Sequence, residues 1–181
     1  MKLVSAGAVV AALISCLGCS GSGAESIDSN EEQLITGNWS ASTYTNGNVP
    51  SGSYVSDAPG HTICEVHEAD HRWHPGKLWS GTCRYQYDTG VRYGTSYKVL
   101  LAAPPANNPL AGIQKVFNPG NSPAGAISST FDSGGDLAAC DAVANSNNGE
   151  WATGKVWSGT CQYEYGGSMH TTTNFWFYVY Q

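Results

Sequence analysis

The string GKLWSGTCRYQY begins at Gly76, and GKVWSGTCQYEY begins at Gly154; nine of the twelve positions are identical. Nothing else in the chain narrows its folding options as much. The likeness extends outward. GNVPSG (Gly47–Gly52) is answered by GNSPAG (Gly120–Gly125), Ile63-Cys64-Glu65 by Ala139-Cys140-Asp141, and SYKVLLA (Ser96–Ala102) by NFWFYVY (Asn174–Tyr180). The landmarks keep their order, so the chain holds two copies of a unit of about 65–70 residues. The Pro- and Asn-rich stretch APPANNPLAG reads as the connector between them.

Strand periods run through each unit. In TCRYQY, Cys83, Tyr85 and Tyr87 fall on one face and Arg84 and Gln86 on the other; TCQYEY repeats this with Cys161, Tyr163 and Tyr165. NFWFYVY is apolar on both faces, as a strand covered on both sides should be. No stretch keeps a helical period over three turns. Charged residues make up only 12% of the chain, against 22 Gly, 10 Tyr and 6 Trp, which suits short strands and tight turns. The expected fold is all-β: short antiparallel strands forming one sandwich-like domain with a pseudo-twofold axis between the copies. The net charge of -6, with 8 Lys plus Arg, offers nucleic acid no electrostatic footprint.

The N-terminus reads as a targeting segment: MK, a short apolar run, then small residues. Residues 1–18 are expected to be a signal peptide. Leu13-Ile14-Ser15-Cys16 within it resembles the bacterial lipoprotein signal, which would make Cys16 the lipidated residue. Ordinary cleavage near Ala24 is the alternative. Residues 19–36, acidic and rich in Gly and Ser, read as a flexible tether. The folded domain is then 37–181, with copies at about 38–103 and 112–181. The expected location is the cell envelope or the exterior, with contact to the membrane only through the lipid anchor.

Four cysteines remain: Cys64, Cys83, Cys140 and Cys161. An exported chain meets an oxidising compartment, where disulfides form. The repeat favours pairing within each copy, Cys64–Cys83 and Cys140–Cys161. The cross-copy scheme, Cys64–Cys161 with Cys83–Cys140, is equally symmetric. No CxxC pair points to metal ligation.

The ordered set GNVPSGSYV, DAPG, TICEVHEA, HPGKLWSGTCRY and YKVLLA, with its second version GNSPAGAI, FDSGGD, AACDAVA, ATGKVWSGTCQY and FWFYV, resembles the DM-nine repeat family over about residues 38–181. The resemblance implies a mannose-binding lectin of two tandem copies, needing no cofactor and without enzymatic activity. Glycans, mannose-containing ones first, would be the partners; pairing of two chains as a homodimer is left open by the sequence. In that family the sugar is held by an Asp of an early turn and the Lys of the Gly-Lys pair. Carried over, these are Asp57 and Lys77 in the first copy and Asp132 and Lys155 in the second, with Asp136 a rival to Asp132.

The chemistry is apt. A carboxylate accepts from two neighbouring hydroxyls, and an ammonium offers three donors. The plain alternative for each Lys is a solvated side chain following a turn Gly. Trp79 and Trp157 read as core, Gly76, Gly81, Gly154 and Gly159 as turns or bulges. One cluster is not repeated: HEADHRWH carries His67, His71 and His74 beside Glu65, Glu68 and Asp70. Imidazoles and carboxylates are competent metal ligands. The second copy lacks histidine there and the segment reads as strand and turn, so a solvated loop is expected and no metal set is assigned. No GxSxG, HExxH or P-loop motif points to catalysis. The competing function is that of an envelope or toxin-accessory protein that captures another protein along a sheet edge.

Overall fold

The alternating pattern folds as strands throughout. A computed structural model describes residues 34–56, 60–103, 112–117 and 122–181, and no helix occurs among them. The signal, residues 19–33 of the tether, Cys16 and Asp57 lie outside the described residues; the last residues assigned to the tether, Leu34–Thr36, belong instead to the fold, where Ile35 and Thr36 form a strand paired with the second copy. The first copy supplies β1 (Ile35–Thr36), β2 (Tyr44–Thr45), β3 (Ile63–His67), β4 (Trp73–Trp79), β5 (Thr82–Tyr87), β6 (Gly90–Gly94) and β7 (Ser96–Val99). The second supplies β8 (Ile113–Phe117), β9 (Ile127–Ser128), β10 (Ala139–Asn145), β11 (Glu150–Trp157), β12 (Thr160–Tyr165), β13 (Ser168–Thr172) and β14 (Trp176–Tyr180).

Two six-stranded antiparallel sheets result, in the orders β2-β7-β3-β4-β5-β6 and β8-β14-β10-β11-β12-β13. The orders superpose strand for strand, so the repeat in sequence is a repeat in topology. Two features of the duplicated string explain its constancy. Ser80-Gly81 and Ser158-Gly159 both take positive φ, which makes each β4–β5 and β11–β12 connection a two-residue hairpin turn of the kind whose twist matches its strands. Gly76 and Gly154, by contrast, are not turns but lie inside β4 and β11. A Cβ on Gly76 would stand 2.2 Å from the Arg84 carbonyl oxygen, and one on Gly154 2.0 Å from that of Gln162.

The disulfides explain the crowding. Cys64 of β3 bonds Cys83 of β5, and Cys140 of β10 bonds Cys161 of β12. Pairing is therefore within each copy. In each case a strand runs between the bridged ones, and flat strands two positions apart would be about 9.6 Å from each other. The Cα–Cα separations are only 5.9 and 6.0 Å. Each sheet is thus sharply curled about its middle strand, and the glycine marks the crease.

Each disulfide sits in its own copy's core. Cys64 and Cys83 pack with Val66, Tyr85, Tyr97 and Val99; Cys140 and Cys161 pack with Tyr163, Phe175 and Phe177. A third core is shared between copies: Trp39, Ile63 and Leu100 of the first against Ile127, Ala139, Tyr178 and Tyr180 of the second. Backbone pairing reinforces it, because β1 runs parallel to β9 with Ile35 opposite Ile127. The Trp39 indole N–H donates to Ser128 O at 2.9 Å, and the Asn38 amide to the Tyr180 hydroxyl at 2.9 Å. The last strand, β14, is buried along Phe177–Tyr180, as its apolar faces require.

A buried acid beneath a Lys–Trp stack recurs in both copies. Glu65 lies under Lys98 at 4.0 Å, with the ammonium 4.1 Å from the Trp73 ring centre. Asp141 lies under Lys115 at 3.2 Å, with that ammonium 3.6 Å from the Trp151 ring centre. Both rings can hold the cation by their negative faces while the acid balances it beneath. Glu65 also reaches into the second copy: the Thr130 amide donates to Oε2 at 2.9 Å, and the Thr130 hydroxyl bonds Oε1.

Candidate functional site

The repeated lysines do not stand in solvent after a turn. Lys77 is 6% exposed and Lys155 4%. Strands β4 and β11 pack against each other across the copies, and each lysine points into the partner copy. The rims of these two regions are the paired tryptophans. Trp79 and Trp157 are 45% and 42% exposed, so they are not core as their strand periodicity suggests. The reason is position: each is the last residue of its strand, next to the hairpin turn, where the sheet has run past the facing copy.

Around Lys155 a cleft of about 390 Å³ opens. The first copy lines it with Asp70, Arg72, His74, Gln86, Tyr87 and Asp88, and the second with Lys155, Trp157 and Gln162. The polar groups form a chain. The Lys155 ammonium donates to His74 Nδ1 at 2.9 Å, and His74 Nε2 lies 3.2 Å from both Asp70 oxygens. The Arg72 amide donates to Asp70 Oδ1 at 3.2 Å, while its guanidinium lies 5.1 Å from the Trp157 ring centre. The Tyr87 ring stands edge-on to His74 at 5.0 Å.

Electrostatics follow from this geometry. Burial pulls the Lys155 ammonium down to about 8, helped by Arg72 and opposed by Asp70. Burial also lowers the His74 imidazole, and the Lys155 charge adds to it against the pull of Asp70. A neutral imidazole can then accept at Nδ1 and donate from Nε2. For Asp70 burial acts upward, but the hydrogen bond and charge of His74, with the Arg72 amide and guanidinium, hold the carboxyl below its ordinary range. Gln86 donates its amide to the Asp88 carbonyl, and its Oε1, buried, has no hydrogen-bond partner among the described residues. A buried acceptor left open at a cleft wall is costly unless something donates to it.

The pseudo-equivalent place around Lys77 has the same plan and other chemistry. Glu164 stands where Gln86 does, Arg84 where Gln162 does, Tyr165 for Tyr87, Trp79 for Trp157, and Ala152 for His74. Lys77 Nζ lies 3.1 Å from Glu164 Oε2, close enough for an ion pair though off the hydrogen-bond direction. Arg84 approaches the same carboxylate at 3.7 Å. The Lys77 ammonium also lies 5.5 Å from the Tyr165 ring centre, and the Tyr165 hydroxyl bonds Glu150. His61 abuts Trp79 with ring centres 4.9 Å apart. Burial, with the Lys77 charge, lowers its imidazole.

Lys77 and Lys155 thus occupy matching positions, each completed by the other copy. Asp132 does not line the Lys155 cleft; its Oδ2 is held by His67 Nε2 at 2.6 Å. The cleft acid is Asp70 of the first copy. Sequence reading did not place Asp70, His74, Gln86 or Gln162 in a site. The available signal was the polar face of TCRYQY and TCQYEY, Arg84/Gln86 and Gln162/Glu164, repeated in a strand too apolar on its other face to lie open. No family model matches the chain, and no curated protein matches it.

Proposed function

We propose that the protein is a carbohydrate-binding module whose principal sugar site is the Lys155 cleft. The observation that carries this reading is the lining: Lys155, Asp70, Gln86 and Gln162 line one cleft together with the Trp157 and Tyr87 rings. A sugar presents adjacent hydroxyls to charged donors and acceptors, and an apolar C–H face to an aromatic ring. Gln86 Oε1, buried in the cleft wall, is an acceptor that a hydroxyl could satisfy only after the side chain turns toward the cleft, and exposed Trp157 offers the ring. The cleft is an order-of-magnitude match in size for a small ligand, about 300–1,000 Å³ being usual. The resemblance to DM-nine repeat lectins supports mannose as the sugar. The Lys77 place, with Lys77 already paired to Glu164, is the weaker second site.

We further infer export, with residues 1–18 as signal and Cys16 lipidated. The two disulfides are compatible with an exported protein.

The test is a glycan array followed by calorimetry with mannose and its oligomers. Saturable binding that is lost in Lys155→Ala and Gln86→Ala supports the reading. No binding by the wild-type protein at millimolar sugar across the panel would sink it.

A further inference from the structure

His67 ends β3, and His71 stands in the turn that follows it, with φ 58. Asp132 belongs to the other copy, more than 60 residues further along the sequence. The fold nevertheless brings one ligand atom of each to within 4.8 Å of the other two.

The convergence is built. The turn at 68–72 and the loop at 131–135 dock on each other. The Gly134 amide donates to His71 O at 2.9 Å, and the Arg72 guanidinium bonds Gly134 O. Gly134 has no room for a side chain, since a Cβ there would lie 2.4 Å from Asp70 O and 2.7 Å from His71 O. The Ser133 amide occupies Asp132 Oδ1 at 2.6 Å, leaving Oδ2 turned to His67 Nε2. The Trp73 ring backs the His67 imidazole, with centres 5.1 Å apart. One carboxylate oxygen and two imidazole nitrogens are thus presented together at a surface that leaves His67 and Asp132 about 41% and 35% exposed.

We propose that His67, His71 and Asp132 form a divalent transition-metal site that bridges the two copies. Two imidazoles and one carboxylate are the donor set of zinc, copper or nickel rather than of magnesium or calcium. Tetrahedral zinc, bound at about 2.0–2.2 Å, separates its ligand atoms by about 3.4 Å. The His67–Asp132 pair, at 2.6 Å, must therefore open slightly, within reach of rotations of these exposed side chains, and His71 already lies within 4.8 Å of both. Solvent completes the coordination. The ion replaces the hydrogen bond between His67 and Asp132 with a bond shared by both, and ties the turn that carries Asp70 to the second copy.

The experiment is zinc titration of the tag-free, disulfide-intact protein against a chromophoric chelator, with copper EPR on the same preparation. One zinc per chain is expected, and copper should show nitrogen coupling from imidazole. His67→Ala and His71→Ala should each weaken zinc by about tenfold or more, and Asp132→Asn by a similar factor. His170→Ala should leave uptake unchanged. Thermal melting should show a zinc-dependent rise in the wild type that each of the three variants loses. Two results would overturn the proposal: no zinc uptake by the wild type at about 100 µM, or unchanged uptake by the His67→Ala/His71→Ala double variant. Copper bound without nitrogen coupling would overturn it even if a variant failed to fold.

Discussion

Lys155 and Asp70 come from different copies and are joined through one imidazole. A double-mutant cycle should therefore find them coupled. Lys155→Ala removes a charge-assisted donor, and the expected loss of sugar affinity is about 1.5–3 kcal/mol, roughly tenfold to a hundredfold. Asp70→Asn should cost less alone, and the double variant should fall short of the sum, since residues in one network do not add. Additive losses in calorimetry would mean that the two do not share a site. Glu65 makes a separate prediction for stability. Burial raises its carboxyl to about 7 from 4.5, against the Thr130 bonds and Lys98. Between these values the folded chain holds a proton that the unfolded chain has released, so this group's contribution to stability is lost as pH rises from about 4.5 to about 7. Glu65→Gln mimics the protonated form and keeps both Thr130 partners. Its denaturation midpoint should exceed that of the wild type at pH 8 and match it near pH 4. The same wild-type slope in the variant would discount Glu65 as the source.

At the level of elements, the crease in each sheet is the point of greatest constraint. Gly154→Ala would drive a methyl into the Gln162 carbonyl. A loss of about 1–3 kcal/mol or more is expected, as for overpacked cores, seen as a lowered melting temperature. Mass spectrometry under mild reductant should show Cys140–Cys161 opening sooner than in the wild type. An unchanged melt would mean that the crease relaxes freely. The strands themselves were legible in the sequence because alternation is local: Cys83, Tyr85 and Tyr87 must share a face wherever the strand goes. The crease was not legible. Gly76 reads as a turn residue because turns are where glycine usually serves, and only the Cys64–Cys83 bridge over the intervening strand shows why it stands mid-strand. Trp79 failed for a similar reason. Periodicity tells which face a side chain takes, but not whether the facing sheet extends far enough to cover it. The site was legible only in its lysines, which repeat. Asp70 and His74 occur once, and their partner is a lysine 81 residues away from His74.

On the scale of the whole molecule, neither copy is self-sufficient. The shared core, the β1–β9 pairing and both lysine regions each draw on the two halves. Residues 38–103 expressed alone should keep their disulfide yet lack a cooperative melt, and should bind no sugar. Full binding by that fragment in calorimetry would contradict the shared architecture. In the intact chain, the two lysine places should titrate separately, with Lys77→Ala leaving the Lys155 affinity within about twofold. The crossing of each lysine into the opposite copy also bears on descent. A precursor with a single copy could have completed such a cleft only by pairing with another molecule of itself, and every mutation would then have altered both clefts at once. Two copies joined in one chain are free of that restriction. Gln86 and Glu164, or His74 and Ala152, would then be free to differ at matching positions, as they do here, where Lys155 meets an imidazole and Lys77 a carboxylate.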